Sequence, residues 1–529
     1  MVGSGPSGFY SAKYLLRSDE VAELVMLDRL PTPFGLVRYG VAPDHPEVKN
    51  VIDDFSVVAT DERFHYLGNL QLSDRDQLSD QCGGGNEEEA GAAAAARVSL
   101  PELRGAFDAV VLAYGADDDR KLGIPGEDLP GVLSARAFVN WYNGHPEFAH
   151  LTSAVTEALA RCPSAVVLGH GNVALDCARI LAKACAAGER GGAGGSTEED
   201  DARELAATDI CSHSVEALGR VRDATGGLRS VVVAGRRGPA QAAFTIKELR
   251  ELTKLGGARL RVHDGEFARA ETEASQAEVK STRPKKRLYA LMHENRSGGD
   301  SDDKEVWAGK GGTRAMTDVW LRFLLVPESV VASGEGGAAA AGGVRFACAV
   351  LEGHEGAQRA VRMGESAGTG EGGIEEVECG LVLTAIGWRS VAADTSLPFD
   401  QKRCVVPTGE GGRVLDEHGL YAAGWLRRGP SGIIGTNIGD GRDVAAAILE
   451  DQKEGVFSGD SASSSSSGMG AERLLELVHA RHGVDGRQVV DWTGHLNIDA
   501  SEVAAGKPKG KPREKIIDVG AMLDAALLK

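Results

Sequence analysis

The 529-residue chain lacks any apolar run as long as the ~20 residues that a membrane-spanning helix needs. Positive charge is also in short supply, because 58 Lys and Arg residues face 77 Asp and Glu residues, for a net charge of -19. That balance argues against a nucleic-acid partner. An apolar share of 42% is enough for two or three folded domains. We therefore predict a globular protein without a transmembrane segment; peripheral attachment to a membrane stays open.

Paired cysteines are absent as well. None of the eight cysteines is spaced as CxxC or CxxxxC, which excludes a zinc ribbon and a dithiol redox centre. Scattered cysteines of this number predict reduced thiols and no metal site. Only Met1 and Val2 precede the first glycine motif, where a strand usually has ~5 residues. We expect a truncated first strand, with any targeting segment missing.

Two glycine-rich turns are the most informative features that are present. Gly3-Ser4-Gly5-Pro6-Ser7-Gly8 fits GxGxxG, and Gly169-His170-Gly171-Asn172-Val173-Ala174 fits GxGxxA. A glycine turn between a strand and a helix lets a pyrophosphate approach free N–H groups at the helix N-terminus. Two such turns predict two bound dinucleotides, and electron transfer between them is a good reason to hold both.

The residues after the next strand distinguish the two turns. Asp28 ends the predicted strand Leu24–Leu27, about 20 residues after the first turn, where an acid binds ribose hydroxyls. This position favours FAD. Arg236 and Arg237 follow the predicted strand 229–234, where NADP sites use arginine for the 2′-phosphate. The second turn therefore predicts NADP.

Apolar runs ending in glycine turns also occur at 109–113, 381–385 and 419–425. We predict an α/β fold of two Rossmann-like dinucleotide-binding domains, in which the NADP domain is inserted into a discontinuous FAD domain. The boundaries are 1–116 and 389–529 for FAD, and 117–388 for NADP. Tracts of Gly, Ala, Ser and acidic residues are predicted to be low-complexity surface insertions near 82–96, 188–201, 333–343, 363–373 and 461–470.

Long motifs make a family recognisable over nearly the whole chain outside these insertions. The matching segments are Val2 to Tyr10, Pro33 to Pro46, Ser134 to Gly144, Gly171 to Asp176, Gly235 to Glu251, Leu420 to Thr436, Gly506 to Pro508 and Gly510 to Lys515. Together they resemble the adrenodoxin reductase family. The resemblance implies a mitochondrial (matrix-side) flavoprotein that takes two electrons from NADPH and delivers them singly to a [2Fe-2S] ferredoxin of the adrenodoxin type.

The resemblance also implies roles for individual residues. The expected cofactor contacts, with the glycines of the two turns, are Gly3, Gly5, Ser7, Gly8, Asp28, Leu36, Leu72, Trp425, Gly432, Ile433 and Ile434 for FAD, and His170, Gly171, Asn172, Val173, Arg236, Arg237, Glu248 and Gly432 for NADP. His45 and Asp176 are expected on a proton path beside the flavin. The family usually has Gln at His170 and Glu at Asp28, and the imidazole is expected to make NADP affinity pH-dependent.

The partner surface is expected on a local basic patch. By resemblance, Arg250, Arg283 and Arg287 would bind the carboxylates of an acidic ferredoxin. Two alternatives stay open: a protein like the small subunit of glutamate synthase, and a truncated flavin-binding protein without activity. The first usually carries an N-terminal cysteine-rich segment, and this chain has no cysteine before Cys82.

Overall fold

The computed structural model describes residues 1–74, 95–185, 197–297, 316–334, 339–363, 373–457, 470–482 and 489–528. These residues form two compact units. The first unit comprises Met1–Val41, His45–Arg120 and Gly387–Lys529, and the second comprises Ala42–Asp44 and Lys121–Ile386. The second unit is thus an insertion between two parts of the first.

Helices and strands alternate along both units. The α-helices are α1 (Pro6–Leu15), α2 (Leu36–Tyr39), α3 (Pro46–Lys49), α4 (Val51–Val58), α5 (Leu100–Ala106), α6 (Ala135–Tyr142), α7 (Thr152–Arg161), α8 (Asn172–Cys185), α9 (Thr197–Ala206), α10 (Ser212–Thr225), α11 (Ile246–Leu252), α12 (Asp264–Arg269), α13 (Glu273–Ser281), α14 (Arg283–Glu294), α15 (Trp425–Arg428), α16 (Thr436–Lys453), α17 (Gly470–His482), α18 (Trp492–Gly506) and α19 (Val519–Ala526). In the described part of the chain, none of these is long and apolar enough to cross a membrane.

The strands are β1 (Leu24–Leu27), β2 (Phe64–Leu67), β3 (Leu70–Leu72), β4 (Ala96–Val98), β5 (Val110–Leu112), β6 (Asp118–Asp119), β7 (Val132–Ser134), β8 (Ser164–Leu168), β9 (Ser230–Ala234), β10 (Ala258–His263), β11 (Arg296–Ser297), β12 (Thr317–Arg322), β13 (Leu325–Ser333), β14 (Ala340–Glu352), β15 (Arg359–Arg362), β16 (Ile374–Glu378), β17 (Leu381–Thr384), β18 (Trp388–Arg389) and β19 (Leu420–Ala422). Four short 3₁₀ helices are interspersed among the described residues, at Pro146–Leu151, Pro239–Gln241, Glu410–Gly412 and Lys507–Lys509.

The first unit contains a parallel sheet whose central position is filled by the short segment Met1 to Gly3, centred on Val2. Val2 bridges Leu27 of β1 on one side and Leu112 of β5 on the other, both in parallel register. β2 pairs with β1 and β19 pairs with β5, so the order is β2, β1, Val2, β5, β19. Backbone bonds from Val2 N to Val111 O and from Gly3 N to Leu27 O, both 2.8 Å long, hold this position. The first glycine turn therefore leaves the sheet at its centre.

The second unit is built on a seven-stranded parallel sheet in the order β11, β10, β12, β9, β8, β17, β7. Its central strands β8, β9 and β17 are apolar on both faces, because helices cover one side and the β13–β16 sheet packs on the other. Within β8, Ala165 and Val167 belong to one hydrophobic core while Val166 and Leu168 belong to the other. The second glycine turn leaves this sheet directly after β8, in the α/β fold that the sequence predicts.

The predicted insertions need one correction. Residues 82–94, 188–196, 335–338, 364–372 and 461–469 lie outside the described residues. The rest of the 333–343 tract is not an irregular insertion, since Ala340 begins β14 and Ala341 is buried. A Cβ on Gly342 would lie 2.5 Å from the Cβ of Ser333, so the small residues permit close pairing of β13 with β14. Likewise, residues 197–201 belong to α9.

Candidate functional site

The first glycine turn has one glycine for each steric demand of a dinucleotide site. Gly3 adopts φ +104°, and Gly8 approaches the strand so closely that a Cβ there would lie 2.1 Å from the Gly3 carbonyl oxygen. A Cβ on Gly5, by contrast, would meet no protein atom within 4 Å. Gly5 is the N-cap of α1. The open space therefore lies at a helix N-terminus, where a pyrophosphate is stabilised by N–H groups and the helix dipole.

The residues of the second glycine turn meet the same three steric requirements. Gly169 adopts φ +136°, and a Cβ there would lie 2.3 Å from the Ala385 carbonyl oxygen. Gly171 faces open space at the start of α8, while the Ala174 side chain is fully buried against the sheet. The methyl group of Ala174 thus fits where GxGxxG motifs have a third glycine. Both turns have room for a phosphate beside the middle glycine.

Asp28 connects the end of β1 to the first glycine turn. Its Oδ2 accepts bonds from the backbone N–H of Ser4 at 3.0 Å and from the Ser4 hydroxyl. Its Oδ1 accepts one bond from the Leu30 N–H, also at 3.0 Å. Burial raises the pKa of the carboxyl, and the Ser4 bonds oppose that rise. Because a carboxylate oxygen accepts two bonds, Oδ1 retains an acceptor site that a ribose hydroxyl can use.

Ser7 is locked behind the turn by Gly424. Its hydroxyl donates to Oδ1 of Asn437 at 2.8 Å, in a buried position. Gly424 has φ +65°, and a Cβ there would lie 1.8 Å from the Ser7 oxygen. Any side chain at Gly424 would therefore displace Ser7 and the start of α1.

Trp425, which follows Gly424, is held in place at the start of α15. Its indole N–H donates to the Ser431 carbonyl at 3.1 Å, and its ring meets the edge of Trp388 at 4.7 Å between centroids. Trp388 was not predicted as a site residue, although its position directly after the glycine turn at Gly387 could have indicated it. The pair forms an apolar, rigid wall in the first unit.

The loop after α15 carries exposed groups suited to a ligand. Gly432 has φ +88°, and the Ile433 side chain is 77% exposed. Among the described residues, the N–H groups of Gly432 and Ile434 have no hydrogen-bond partner, whereas the Ile433 N–H donates to Thr436 Oγ1 at 3.0 Å. Of the three expected FAD contacts in this loop, Ile433 therefore has its N–H already bonded within the loop.

The two leucines of the expected FAD contacts differ in their surroundings. Leu36 is partly exposed at the start of α2, directly after Gly35, whose Cβ would lie 3.3 Å from the Gly5 Cα. Leu72 at the end of β3 is buried in a hydrophobic core of the first unit. Leu36 thus lies beside the first turn, while the side chain of Leu72 packs inside the protein.

Phe34 is a further residue that the sequence analysis missed. It has φ +83°, which a residue with a side chain rarely adopts, and its N–H donates to the Ser4 carbonyl at 3.0 Å. Its ring meets the edge of His495 at 5.5 Å and of Trp492 at 6.2 Å between centroids. The start of α18 thereby supports the loop that packs on the first turn. No local pattern in the sequence points to this contact.

His495 makes the stability of this cluster pH-dependent. Burial, with a smaller contribution from Arg38, lowers the pKa of His495 from 6.5 to about 3. Below pH 6.5 this histidine becomes protonated in the unfolded chain but stays neutral in the folded protein. The free energy of unfolding therefore falls as the pH falls. We expect His495 to lower the free energy of unfolding by about 2 kcal/mol when the pH falls from 6.5 to 4.5. Urea unfolding of the wild type and of His495→Gln at both pH values measures it; equal pH slopes would contradict it.

The second unit places the arginine pair as expected from its position. Arg236 and Arg237 follow β9 directly, and both side chains are exposed. Nearby, the Asn172 side-chain oxygen accepts the Thr245 N–H at 2.9 Å, and the Thr245 hydroxyl donates to Glu248 at the start of α11. Val173, on the first turn of α8, is partly buried and packs against the core. These groups surround the second turn within the second unit.

His170 corrects one expectation. Its ring contacts Phe323 at 4.8 Å and Phe244 at 6.0 Å between centroids, and Nε2 donates to the Val233 carbonyl at 3.3 Å. This packing lowers the pKa of His170 to about 4, chiefly through loss of solvation. The imidazole is neutral between pH 6 and 8, so it does not make nucleotide affinity pH-dependent in that range. Its backbone N–H, at the turn, is still suited to a phosphate.

The two expected proton carriers lie in different surroundings. His45 is buried and is the N-cap residue of α3 in the first unit. Asp176, on α8 of the second unit, forms an ion pair with Arg179 at 2.7 Å. Arg179 also donates to both oxygens of Asp44 at 2.9 Å and lies 3.1 Å from Glu251. The carboxylate of Asp176 is thus held by a buried guanidinium.

The three arginines of the expected partner surface are exposed on two helices of the second unit. Arg250 lies on α11, and Arg283 and Arg287 lie on α14, which packs against α11. Lys254 and Lys286 add exposed positive charge to the same pair of helices. The pair of helices is therefore locally basic in a protein of net charge -19.

Comparison with known proteins places these sites in a family, although no family model matches the chain. The chain is 40% identical to human mitochondrial NADPH:adrenodoxin oxidoreductase, over 99% of this chain and 90% of that protein. It is 35% identical to NADPH-ferredoxin reductase FprA of Mycobacterium leprae, over 99% of this chain and 97% of that protein. Among solved structures, Mycobacterium tuberculosis FprA in complex with NADPH is similar, with a TM-score of 0.76 and 32% identity over the full chain and 98% of FprA.

Proposed function

The chain belongs to the NADPH:adrenodoxin oxidoreductase family, and on that premise we propose that its ferredoxin partner is a [2Fe-2S] protein of the adrenodoxin type. The protein is an oxidoreductase that passes electrons from NADPH through FAD to a ferredoxin. The observation that carries this function is the pair of glycine turns, each with a middle glycine facing open space at a helix N-terminus. The family assignment replaces the glutamate synthase alternative.

We assign FAD to the first unit and NADPH to the second. Asp28 and the free N–H groups of Gly432 and Ile434 support the first assignment, since they would hold a ribose and an electron-rich ring edge. Arg236 and Arg237 support the second, because two exposed guanidinium groups after β9 suit a 2′-phosphate. When bound, FAD supplies the chemistry of accepting a hydride and releasing single electrons.

The protein's part in this reaction is to bind, orient and exclude water. Hydride transfer needs alignment and a dry site rather than a nucleophile. Trp425, fixed by Ser431 and Trp388, supplies a rigid apolar wall in the first unit. His45 is the better candidate of the two proton carriers, because Asp176 is paired with Arg179. We also place the protein in mitochondria, where the human relative is named as residing.

The partner proposal depends on the basic helix α14 and on Arg250 of the neighbouring helix α11. Adrenodoxin-type ferredoxins are acidic, so exposed Arg250, Arg283 and Arg287 would steer and hold them. A chain of net charge -19 would otherwise repel an acidic partner.

Reversing these charges tests the partner surface. We expect the triple variant Arg250→Glu, Arg283→Glu, Arg287→Glu to raise the KM for a [2Fe-2S] ferredoxin about tenfold or more, which corresponds to ~1.4 kcal/mol. NADPH-dependent reduction of ferricyanide should be unchanged, because no ferredoxin is involved. The measurement is cytochrome c reduction by NADPH at rising ferredoxin concentration and at two salt concentrations.

The matched control reverses Arg161, Arg220 and Arg359, which are exposed elsewhere on the second unit. This control has the same net charge as the first triple variant. An equal rise in its KM for ferredoxin would show a general effect of charge and would contradict the assignment of the partner surface. Absence of any ferredoxin-dependent cytochrome c reduction in the wild type would contradict the [2Fe-2S] proposal itself.

A further inference from the structure

A buried ion pair lies at the carboxyl end of β12, next to the arginine loop. Arg322, the last residue of β12, donates from Nε and Nη2 to Glu266 Oε1 at 2.8 and 2.5 Å. The other oxygen of Glu266 accepts the Phe323 N–H at 2.8 Å. Both charged side chains are almost entirely buried. Although burial opposes it, Glu266 and Glu375 hold the pKa of Arg322 above its usual value. Glu266, carried on α12, thus fixes both a side chain and a backbone group.

The segment held by Glu266 is strained and bonded to the arginine loop. Leu324 has φ +55°, a conformation that residues with side chains rarely adopt. In that conformation its N–H donates to the Arg237 carbonyl at 3.3 Å, and the Leu325 N–H donates to the Gly235 carbonyl at 3.1 Å. The Gly235 N–H donates in turn to the Arg322 carbonyl at 3.0 Å. Three backbone bonds therefore join residues 322–325 to residues 235–237.

The same segment also contacts the second glycine turn. The fully buried ring of Phe323 packs against the ring of His170, the residue between the first two glycines of that turn. On its other side, His170 lies over Gly235, where a Cβ would come within 2.4 Å of its Nδ1. Residues 322–325 are consequently the common support of the glycine turn and of the arginine loop.

We propose that Glu266 and Arg322 are positioning residues for NADPH selectivity. By holding residues 322–325, they keep Arg236 and Arg237 at the spacing from the glycine turn that a 2′-phosphorylated dinucleotide requires. This inference rests on the assignment of NADPH to the second unit. A buried ion pair is a poor source of stability compared with apolar residues of the same volume, and its best-attested use is to specify one arrangement. The arrangement specified here is the geometry of a binding loop.

Glu266→Gln tests the inference by binding. The amide keeps the shape but is neutral and presents N–H groups to a guanidinium, so the support of residues 322–325 loosens. We expect the Kd for NADP⁺, measured by titration calorimetry on the flavin-loaded protein, to rise about tenfold, as for the loss of part of a charge-assisted bond. The Kd for NAD⁺, which has no 2′-phosphate, should change little. The ratio of the Kd for NAD⁺ to the Kd for NADP⁺ therefore falls about tenfold.

The control is Asp318→Asn at the opposite end of the same strand. Asp318 is also buried and paired, accepting bonds from Arg261 at 2.8 Å and Arg259 at 3.0 Å. This variant should lower the melting temperature, yet leave the ratio of the Kd for NAD⁺ to the Kd for NADP⁺ unchanged. If Glu266→Gln does not fold, Glu375→Gln replaces it, since Glu375 accepts from Arg322 at 2.8 Å and is a third exposed. A smaller fall of the ratio, in the same direction, is expected.

Two outcomes would overturn the inference, and a third would contradict its premise. The first is a wild-type ratio of the two Kd values in both Glu266→Gln and Glu375→Gln. The second is an equal fall of this ratio in Asp318→Asn, which would show that the effect comes from general destabilisation. A wild-type protein that binds NADP⁺ no better than NAD⁺ would instead contradict the assignment of NADPH to the second unit. The two failures are thus distinguishable.

Discussion

Gly5→Val is expected to give a folded protein that binds flavin at least about a hundredfold more weakly, because two or more charge-assisted bonds to a phosphate, worth ~1.5–3 kcal/mol each, are lost. The new side chain meets no protein atom within 4 Å at Cβ, so folding has no reason to fail. It does enter the space beside the α1 N-terminus where we place the FAD pyrophosphate. The purified variant should be colourless, and circular dichroism should match the wild type.

Gly171→Val provides the matched comparison. Gly171 likewise faces open space, at the start of α8 in the second unit. This variant should keep its flavin and its yellow colour, yet no longer be reduced by NADPH on mixing. Together the two variants test which turn holds which cofactor. Gly105→Val serves as the control, since Gly105 is exposed on α5 with no atom near its Cβ and should retain both properties.

The result that would contradict the assignment is equally specific. Full flavin occupancy in Gly5→Val, or loss of flavin in Gly171→Val with NADPH binding intact, would mean that the two turns are wrongly assigned. Loss of flavin in all three variants would point to general destabilisation, which the melting temperature would reveal. A yellow wild type that NADPH does not reduce would favour the alternative of a flavin-binding protein without activity.

Replacing both Arg236 and Arg237 by alanine should abolish the preference for NADPH over NADH. Each guanidinium can donate to a 2′-phosphate, and bonds to charged groups contribute ~1.5–3 kcal/mol each, so kcat/KM for NADPH should fall roughly 10²- to 10³-fold or more. The value for NADH should change by less than about threefold, because NADH has no 2′-phosphate and ~0.6 kcal/mol is within the scatter of surface substitutions. Stopped-flow reduction of the flavin by each nucleotide measures this without any ferredoxin.

Arg220→Ala is the control for this pair. Arg220 is an exposed arginine on α10 of the same unit, away from the carboxyl end of the sheet. It should leave the preference for NADPH unchanged. If the double variant keeps the wild-type preference, the arginine pair is a solvated loop and the basis of nucleotide selectivity lies elsewhere.

The sequence predicted most of the regular structure because each element has a strong local signal. The predicted strand Leu24–Leu27 is β1 without change, and the predicted strand 229–234 differs from β9 by one residue at its start. Runs of β-branched and aliphatic residues that end in glycine strongly favour a buried parallel strand. The two glycine turns were recognisable because their steric demands are met by residue types at a fixed spacing.

Long-range contacts were beyond such signals. The support of Phe34 by His495 joins residues more than 450 positions apart, and nothing in either segment points to the other. The packing of His170 against Phe323 was missed for the same reason, and with it the loss of solvation that lowers the pKa of the imidazole. Tracts of Gly and Ala such as 340–343 were misread because low complexity also suits closely paired strands.

By itself, the sequence determined that the chain has two glycine turns of the dinucleotide-binding type and which family it resembles, since these depend on residue types at short spacing. Only the tertiary structure decided which expected groups are free to act. Folding engages the Ile433 N–H with Thr436, the Asp176 carboxylate with Arg179 and the His170 ring with Phe323, while the N–H groups of Gly432 and Ile434 have no partner within the described part of the chain. The physical reason is that hydrogen-bond partners and burial come from residues distant in the chain, which no local pattern specifies.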